Sequence, residues 1–117
     1  MPSSVDSGAP DFVIGDRYGA SAAGWIVETI EASLANASYI VRRNKPYAGG
    51  YITERYGAPA SGRHSVQIEI NRKLYMDERR IAKHAHWSRV RVDLCAMAQA
   101  LERRVAGKLA LPRIAAE

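Results

Sequence analysis

Glu69 is the residue whose type and setting point most directly to chemistry. It lies in the stretch His64 to Asn71, HSVQIEIN. With the two-residue period of a strand, His64, Val66, Ile68 and Ile70 take one face while Ser65, Gln67, Glu69 and Asn71 take the other. A carboxylate in the middle of an otherwise apolar strand is costly to bury unless it is paired, metal-associated or protonated. General acid or base work is one reason to keep it there. A face open to water, or a pairing with an arginine such as Arg72, is the other, and the pattern alone leaves both standing.

Asn44, Tyr47, Gly49, Gly50 and Tyr51 form a second group. Glycines let backbone amides come close to a ligand, and Asn and Tyr supply directed hydrogen bonds, so the group has the makings of a binding loop. A plain turn with two aromatic anchors gives the same pattern, and neither GxGxxG nor GxxxxGK[ST] spacing is present. His84 and His86 are two apart and His64 precedes the strand, but no other Cys or His has metal-ligand spacing with them. Ser65 is not in a GxSxG turn, and Cys95 falls inside a helical pattern near its apolar stripe. The chain does not by itself supply a complete catalytic set.

The elements that must position these residues read as α/β. Met1 to Pro10 is loop-like, rich in Ser, Pro and Gly. Asp11 to Ile14 is a short buried strand between Pro10 and Gly15. Ala23, Ile26, Val27, Ile30 and Leu34 recur at helical spacing, predicting a helix over 20–35 with Ser21 as N-cap and Asn36 as its stop. Ser38 to Arg42 is a second strand. Strand, helix and strand with short connections predict a parallel βαβ unit, hence a mixed, mostly parallel sheet with flanking helices. Tyr51 to Tyr56 reads as a brief strand passing into a helical turn, and Lys73 to Glu78 as one helical turn. Arg79 to His86 has no firm pattern. A final helix over 87–106 carries the stripe Val90, Leu94, Met97, Leu101 and Val105, with Gly107 as its stop and a frayed tail over 108–117.

The totals bound the answer. A chain of 117 residues fits a single domain over 1–117, large enough to bury roughly two thirds of its unfolded surface. Hydrophobic and charged fractions of 47% and 25% are ordinary for a globular protein, and no stretch nears the roughly 20 apolar residues of a membrane span. The single Cys95 excludes an internal disulfide and fits a reducing, cytoplasmic setting. A net charge of +5 raises the question of nucleic acid. The basic residues are scattered in pairs such as Arg103 and Arg104, without long runs or interleaved aromatics, which favours a solvated surface and no nucleic-acid partner.

NKPYAGGYITERYG followed by HSVQIEINRKLYMDE resembles the C-terminal half of the N-formylglutamate amidohydrolase (deformylase) family, and PDFVIGDRYG before them is similar to it as well. The likeness covers Pro10 to Glu78 and extends weakly through the final helix. It implies a zinc carboxypeptidase-like (phosphorylase/hydrolase-like) fold and hydrolysis of N-formyl-L-glutamate, or a related N-acyl amino acid, to formate and glutamate. In such enzymes zinc activates water and a Glu shuttles the proton to the leaving amine. That Glu corresponds to Glu69. The 44–51 loop and Arg72 are implied to lie near the substrate, with Arg72 or Arg55 facing its carboxylate. Arg55 departs from many family members, which place His there.

The family's zinc ligands lie N-terminal to the part matched here, the last being a His in a segment resembling D-x-H-S-M-P-S. This chain begins Met1, Pro2, Ser3, Ser4. The expectation is an incomplete domain starting just after that His, binding no zinc tightly, inactive alone, and homo-oligomeric because an open sheet edge and apolar face need cover. Two competing readings are a binding or assembly module without the metal, and a small basic nucleic-acid binder.

Overall fold

The computed structural model describes residues 9–77, 82–83 and 87–115. The strand FVIG, β1 (Phe12–Gly15), is fully buried along its length, as a strand covered on both faces must be. Helix α1 (Gly24–Asn36) follows, and β2 (Val41–Arg43) returns parallel to β1 with Phe12 opposite Val41 and Ile14 opposite Arg43. The predicted βαβ unit is present. Strand β3 (Gln67–Ile70) then pairs with β1 antiparallel, with Phe12 opposite Ile70 and Val13 opposite Glu69. The sheet order is β2-β1-β3. It is therefore mixed, but not mostly parallel: one of its two ladders is antiparallel, because the long stretch after β2 brings the chain back along the opposite edge.

Alternation sorts the sheet into two faces. Phe12, Ile14, Ile68 and Ile70 share one face, against which α1 and the long helix α3 (Trp87–Ala115) pack. Ile26, Val27, Ile30 and Leu34 of α1 and Val90 and Met97 of α3 complete this core. Burying each such side chain contributes about 1.5–3 kcal/mol. On the same face Arg43 makes a two-pronged pair with Glu31 of α1, at 2.9 and 3.0 Å. Gly15, Val13, Arg42, Gln67 and Glu69 lie on the opposite face by register.

Both ends of α1 differ from the sequence-based expectation. The N-cap is Ala23, without a side-chain cap, and Ser21 donates instead to the Ser65 carbonyl at 2.7 Å. The Ala23 N–H is taken by Nδ1 of His64 at 3.0 Å, an acceptor brought from the entry to β3 that no local pattern reveals. At the other end Ser38, not Asn36, adopts the left-handed conformation (φ 73°). Its N–H donates to Ala35 and that of Tyr39 to Leu34, the paired bonds of a Schellman turn.

Tyr51 to Tyr56 is helical throughout (α2), without the brief strand expected at its start. Arg72–Leu74 is a 3-10 turn, and the short strands β4 (Met76–Asp77) and β5 (Ala82–Lys83) form a separate antiparallel pair. Helix α3 does not stop at Gly107 and continues to Ala115, so the tail expected from residue 108 gives way to helix. His84 and His86, and residues 1–8 of the loop expected over 1–10, lie outside the described residues. Among the described residues no helix is long and apolar enough to cross a membrane.

Two polar contacts hold this arrangement. The first is Asn44, buried just after β2 with φ 62°. Its Oδ1 accepts from the N–H of Asp16 (3.1 Å) and of Tyr18 (3.3 Å), and its Nδ2 donates to Asp16 Oδ1 at 2.8 Å. The turn it grips contains three successive left-handed residues, Arg17, Tyr18 and Gly19. Such backbone persists only where its surroundings over-determine it. The second is Tyr39, whose hydroxyl donates to Asp93 of α3 at 2.6 Å while its ring meets Phe12 edge-on.

Asn44→Ala leaves the Asp16 and Tyr18 N–H groups without their acceptor, at about 1–3 kcal/mol each where buried. A fall in unfolding free energy of about 2–4 kcal/mol is expected from urea titration. A loss within error of zero would show that the turn is held by other groups.

Burial, the bond to Asp93 and its negative charge raise the Tyr39 pKa from 10.0 to about 12. Between those values the folded chain holds a proton that the unfolded chain has lost, so this contribution is complete below pH 10 and disappears as pH rises towards 12. Urea midpoints measured across that window should decline in the native chain. The Tyr39→Phe variant should show a visibly shallower decline, and identical slopes would refute the linkage.

Candidate functional site

Gly15 ends β1, and its missing side chain decides where the next segment runs. A Cβ built there would lie 2.7 Å from the Ala48 carbonyl carbon and 2.8 Å from Gly49 N. The 48–50 backbone therefore lies directly on the sheet, on the face away from α1 and α3. The contact is fixed by a hydrogen bond: Arg17 N–H donates to the Ala48 carbonyl at 2.8 Å. Gly49 adopts φ 119°, where a side chain would be strained and would also meet Thr53 Oγ1. Thr53, buried in α2, donates to the Gly50 carbonyl at 2.7 Å and ties the loop to the helix.

This placement brings Gly49 and Gly50 against β3. Gly50 N–H donates to Gln67 Oε1 at 3.0 Å, and Gln67 Nε2 donates to Glu69 Oε1 at 2.7 Å. Glu69 is half-buried and stands opposite Val13, which is itself fully buried. In the same register row Arg42 lies on the other side of Val13. On the loop's other flank, Arg17 Nη1 donates to the Gly49 carbonyl at 3.3 Å and lies 4.0 Å from Glu54 Oε2.

Of the residues singled out from sequence, Gly49, Gly50 and Glu69 are thus brought into one hydrogen-bonded cluster, with Tyr47 half-buried beside them in the chain. Tyr51 is exposed at the start of α2. Asn44 is committed to the turn at Asp16 and Tyr18, so its amide works inside the protein. Arg55 is exposed and lies over the Tyr56 ring, 5.2 Å from its centre. Arg72 is exposed in the 3-10 turn after β3. His64 does not join the cluster, because its imidazole caps α1 on the helix side of the sheet.

Sequence reasoning missed Arg17 and the part played by Gln67. Gln67 carried a legible signal, lying two residues before Glu69 on the same strand face. Arg17 carried none, since its position depends on a left-handed turn held by a residue 27 positions away. Among the described residues no three His, Cys, Asp or Glu side chains converge as a metal site needs, and Cys95 is free and exposed. The groups described here do not amount to a zinc-binding set.

Comparison with known proteins gives this arrangement a setting. The chain is 37% identical over 79 residues to an N-formylglutamate deformylase of Pseudomonas putida and 38% identical over 79 residues to one of Pseudomonas aeruginosa. Each match covers 67% of this chain, which spans only 30% of the length of either relative. A crystal structure of N-formylglutamate amidohydrolase from Ralstonia eutropha JMP134 superposes with a TM-score of 0.83 at 32% identity, over 92% of this chain and 41% of that one. Residues 1–76 match the sequence model of N-formylglutamate amidohydrolase, and with these relatives they show that the chain belongs to the N-formylglutamate amidohydrolase family.

Proposed function

We propose that this chain contributes the proton-carrying carboxylate and part of the substrate pocket for hydrolysis of N-formyl-L-glutamate, or a related N-acyl amino acid, to formate and L-glutamate. The observation that supports this is the cluster on the polar face of the sheet, where Glu69 is held beside backbone that only glycine permits. Glu69 takes a proton from the attacking water as the water oxygen bonds to the formyl carbon. It then passes that proton to the amide nitrogen as the C–N bond breaks. The 47–51 loop offers backbone groups to the substrate, and Arg72 or Arg55 pairs with a substrate carboxylate.

The zinc carboxypeptidase-type fold, and a zinc ion in longer family members, are part of the same proposal. Among the described residues no three His, Cys, Asp or Glu side chains converge, so no zinc ligand set is assigned to them. The chain alone is accordingly proposed to hold no zinc tightly and to release no formate. A single exposed cysteine suits a cytoplasmic protein.

A labelled sample of the 117-residue chain, titrated with N-formyl-L-glutamate and followed by amide NMR, tests the pocket. Resonances of residues 47–51 and 67–72 should move, while N-formyl-L-lysine, whose side chain carries the opposite charge, should move them less. Unmoved resonances would overturn the pocket. Stoichiometric zinc together with formate release in the same sample would overturn the inactive-alone reading.

Oligomerisation belongs to the proposal as well. Two apolar grooves, of about 610 and 510 Å³, flank α3 along the core-facing side of β3 and are lined by Val66, Ile68, Met97 and Leu101, and by Ile70 and Leu94. Strand β3 is an edge of the sheet, and a second copy would cover both features. Light scattering should return a multiple of the 12.9 kDa chain mass. A stable monomer at micromolar concentration would sink this part.

A further inference from the structure

The cluster contains a continuous series of hydrogen bonds that the proposed chemistry does not itself require. Arg17 Nη1 donates to the Gly49 carbonyl at 3.3 Å. The same peptide unit donates through Gly50 N–H to Gln67 Oε1 at 3.0 Å, and Gln67 Nε2 donates to Glu69 Oε1 at 2.7 Å. The series starts at a cation, crosses one peptide group and one side-chain amide, and ends at a carboxylate. Every dipole in it points the same way.

We infer that Gln67 is a positioning residue for Glu69, held in a single orientation by the Gly49–Gly50 peptide and, through it, by Arg17. The argument for orientation is chemical. A side-chain amide has one accepting and one donating end, and a backbone N–H can only donate. Gly50 N–H therefore takes the oxygen of Gln67 and turns its nitrogen towards Glu69, so the flip that is ordinarily open to a glutamine is closed here. A carboxylate held by an N–H donor loses rotamer freedom in advance of any reaction, which is what positioning contributes to catalysis. Hydrogen bonds in series polarise one another, and the guanidinium at the far end adds to that polarisation.

The same series couples loop and carboxylate. Backbone at residues 49–50 is fixed by the Gly15 approach and by Thr53, so Gln67 is anchored to the rigid part of the sheet and not to solvent. A ligand that displaces the Gly49–Gly50 peptide also loosens the hold of Gln67 on Glu69. This inference rests on the reading of Glu69 as the reacting carboxylate, yet its test does not need turnover.

The test is NMR of the 117-residue chain and three variants, with circular dichroism confirming the fold of each. In the native chain one Gln67 Nε2 proton should resonate downfield of a free amide, and its exchange should be slow; Glu69→Ala should abolish both. Gln67→Ala should speed Gly50 N–H exchange about tenfold, the loss expected for one hydrogen bond. Gln67→Glu keeps an oxygen for Gly50 but has no N–H for Glu69. It should leave Gly50 protected and move the Glu69 carboxyl carbon resonance, because a second carboxylate then faces Glu69, a change that a side chain touching the loop but turned away from Glu69 would not produce. Free-amide behaviour of Gln67 in the native chain, or a Gln67 signal unchanged by Glu69→Ala, would overturn the inference. If Gln67→Ala does not fold, those two measurements decide it. Failure of N-formyl-L-glutamate to bind would refute the pocket and leave these signatures intact.

Discussion

The arrangement depends on one missing atom. Gly15 closes the central strand, and the space where its Cβ would stand is occupied by the Ala48–Gly49 backbone at 2.7–2.8 Å. A side chain there would require that backbone to move, and it is the backbone that carries Gly50 to Gln67 and, through it, to Glu69. Packing on the helix side fixes the sheet. The approach at Gly15 then transfers that rigidity to a loop that has no core of its own. Asn44 makes the approach possible by locking the Asp16–Tyr18 turn, so a residue that looks like a ligand contact acts one step earlier, as a brace.

The parts of the fold that were legible in the sequence are those governed by local periodicity. The alternation of His64 to Asn71 separated Ile68 and Ile70 from Gln67 and Glu69, and the register confirms the split. The apolar spacing of Ile26, Val27, Ile30 and Leu34 placed α1 to within a few residues. What was not legible depends on distant partners. Ser21 has the chemistry of a cap but is drawn to Ser65, and the helix start is served by His64, a residue 41 positions away from Ala23. Gly107 has the chemistry of a stop, yet glycine only permits a helix to end, and nothing in its surroundings requires it. The direction of β3 was equally hidden, since alternation is the same whichever way a strand runs.

The site shows the same division. Residue types pointed to Glu69 and to Gly49 and Gly50, because a carboxylate among Ile residues and a glycine pair are both unusual enough to need reasons. They did not indicate that Asn44 and Arg17 act on the same loop. Those roles come from the left-handed turn at 17–19, where three successive residues adopt positive φ and only the last is glycine. Non-glycine residues adopt that conformation at a cost, so the turn can be explained only by the contacts that hold it.

The surroundings of Glu69 suit both of the readings that the sequence left open. A buried carboxylate without partners would be neutralised or expelled, and a fully solvated one would gain nothing from its place in the sheet. Glu69 is neither: it is half-buried, stands on the face away from the apolar core, and accepts a short bond from Gln67. Such a group remains accessible while its direction is set by the protein. The amide that donates to Glu69 is itself oriented by the Gly50 N–H, so the bond that ties β3 to the loop also sets the direction from which the carboxylate is held.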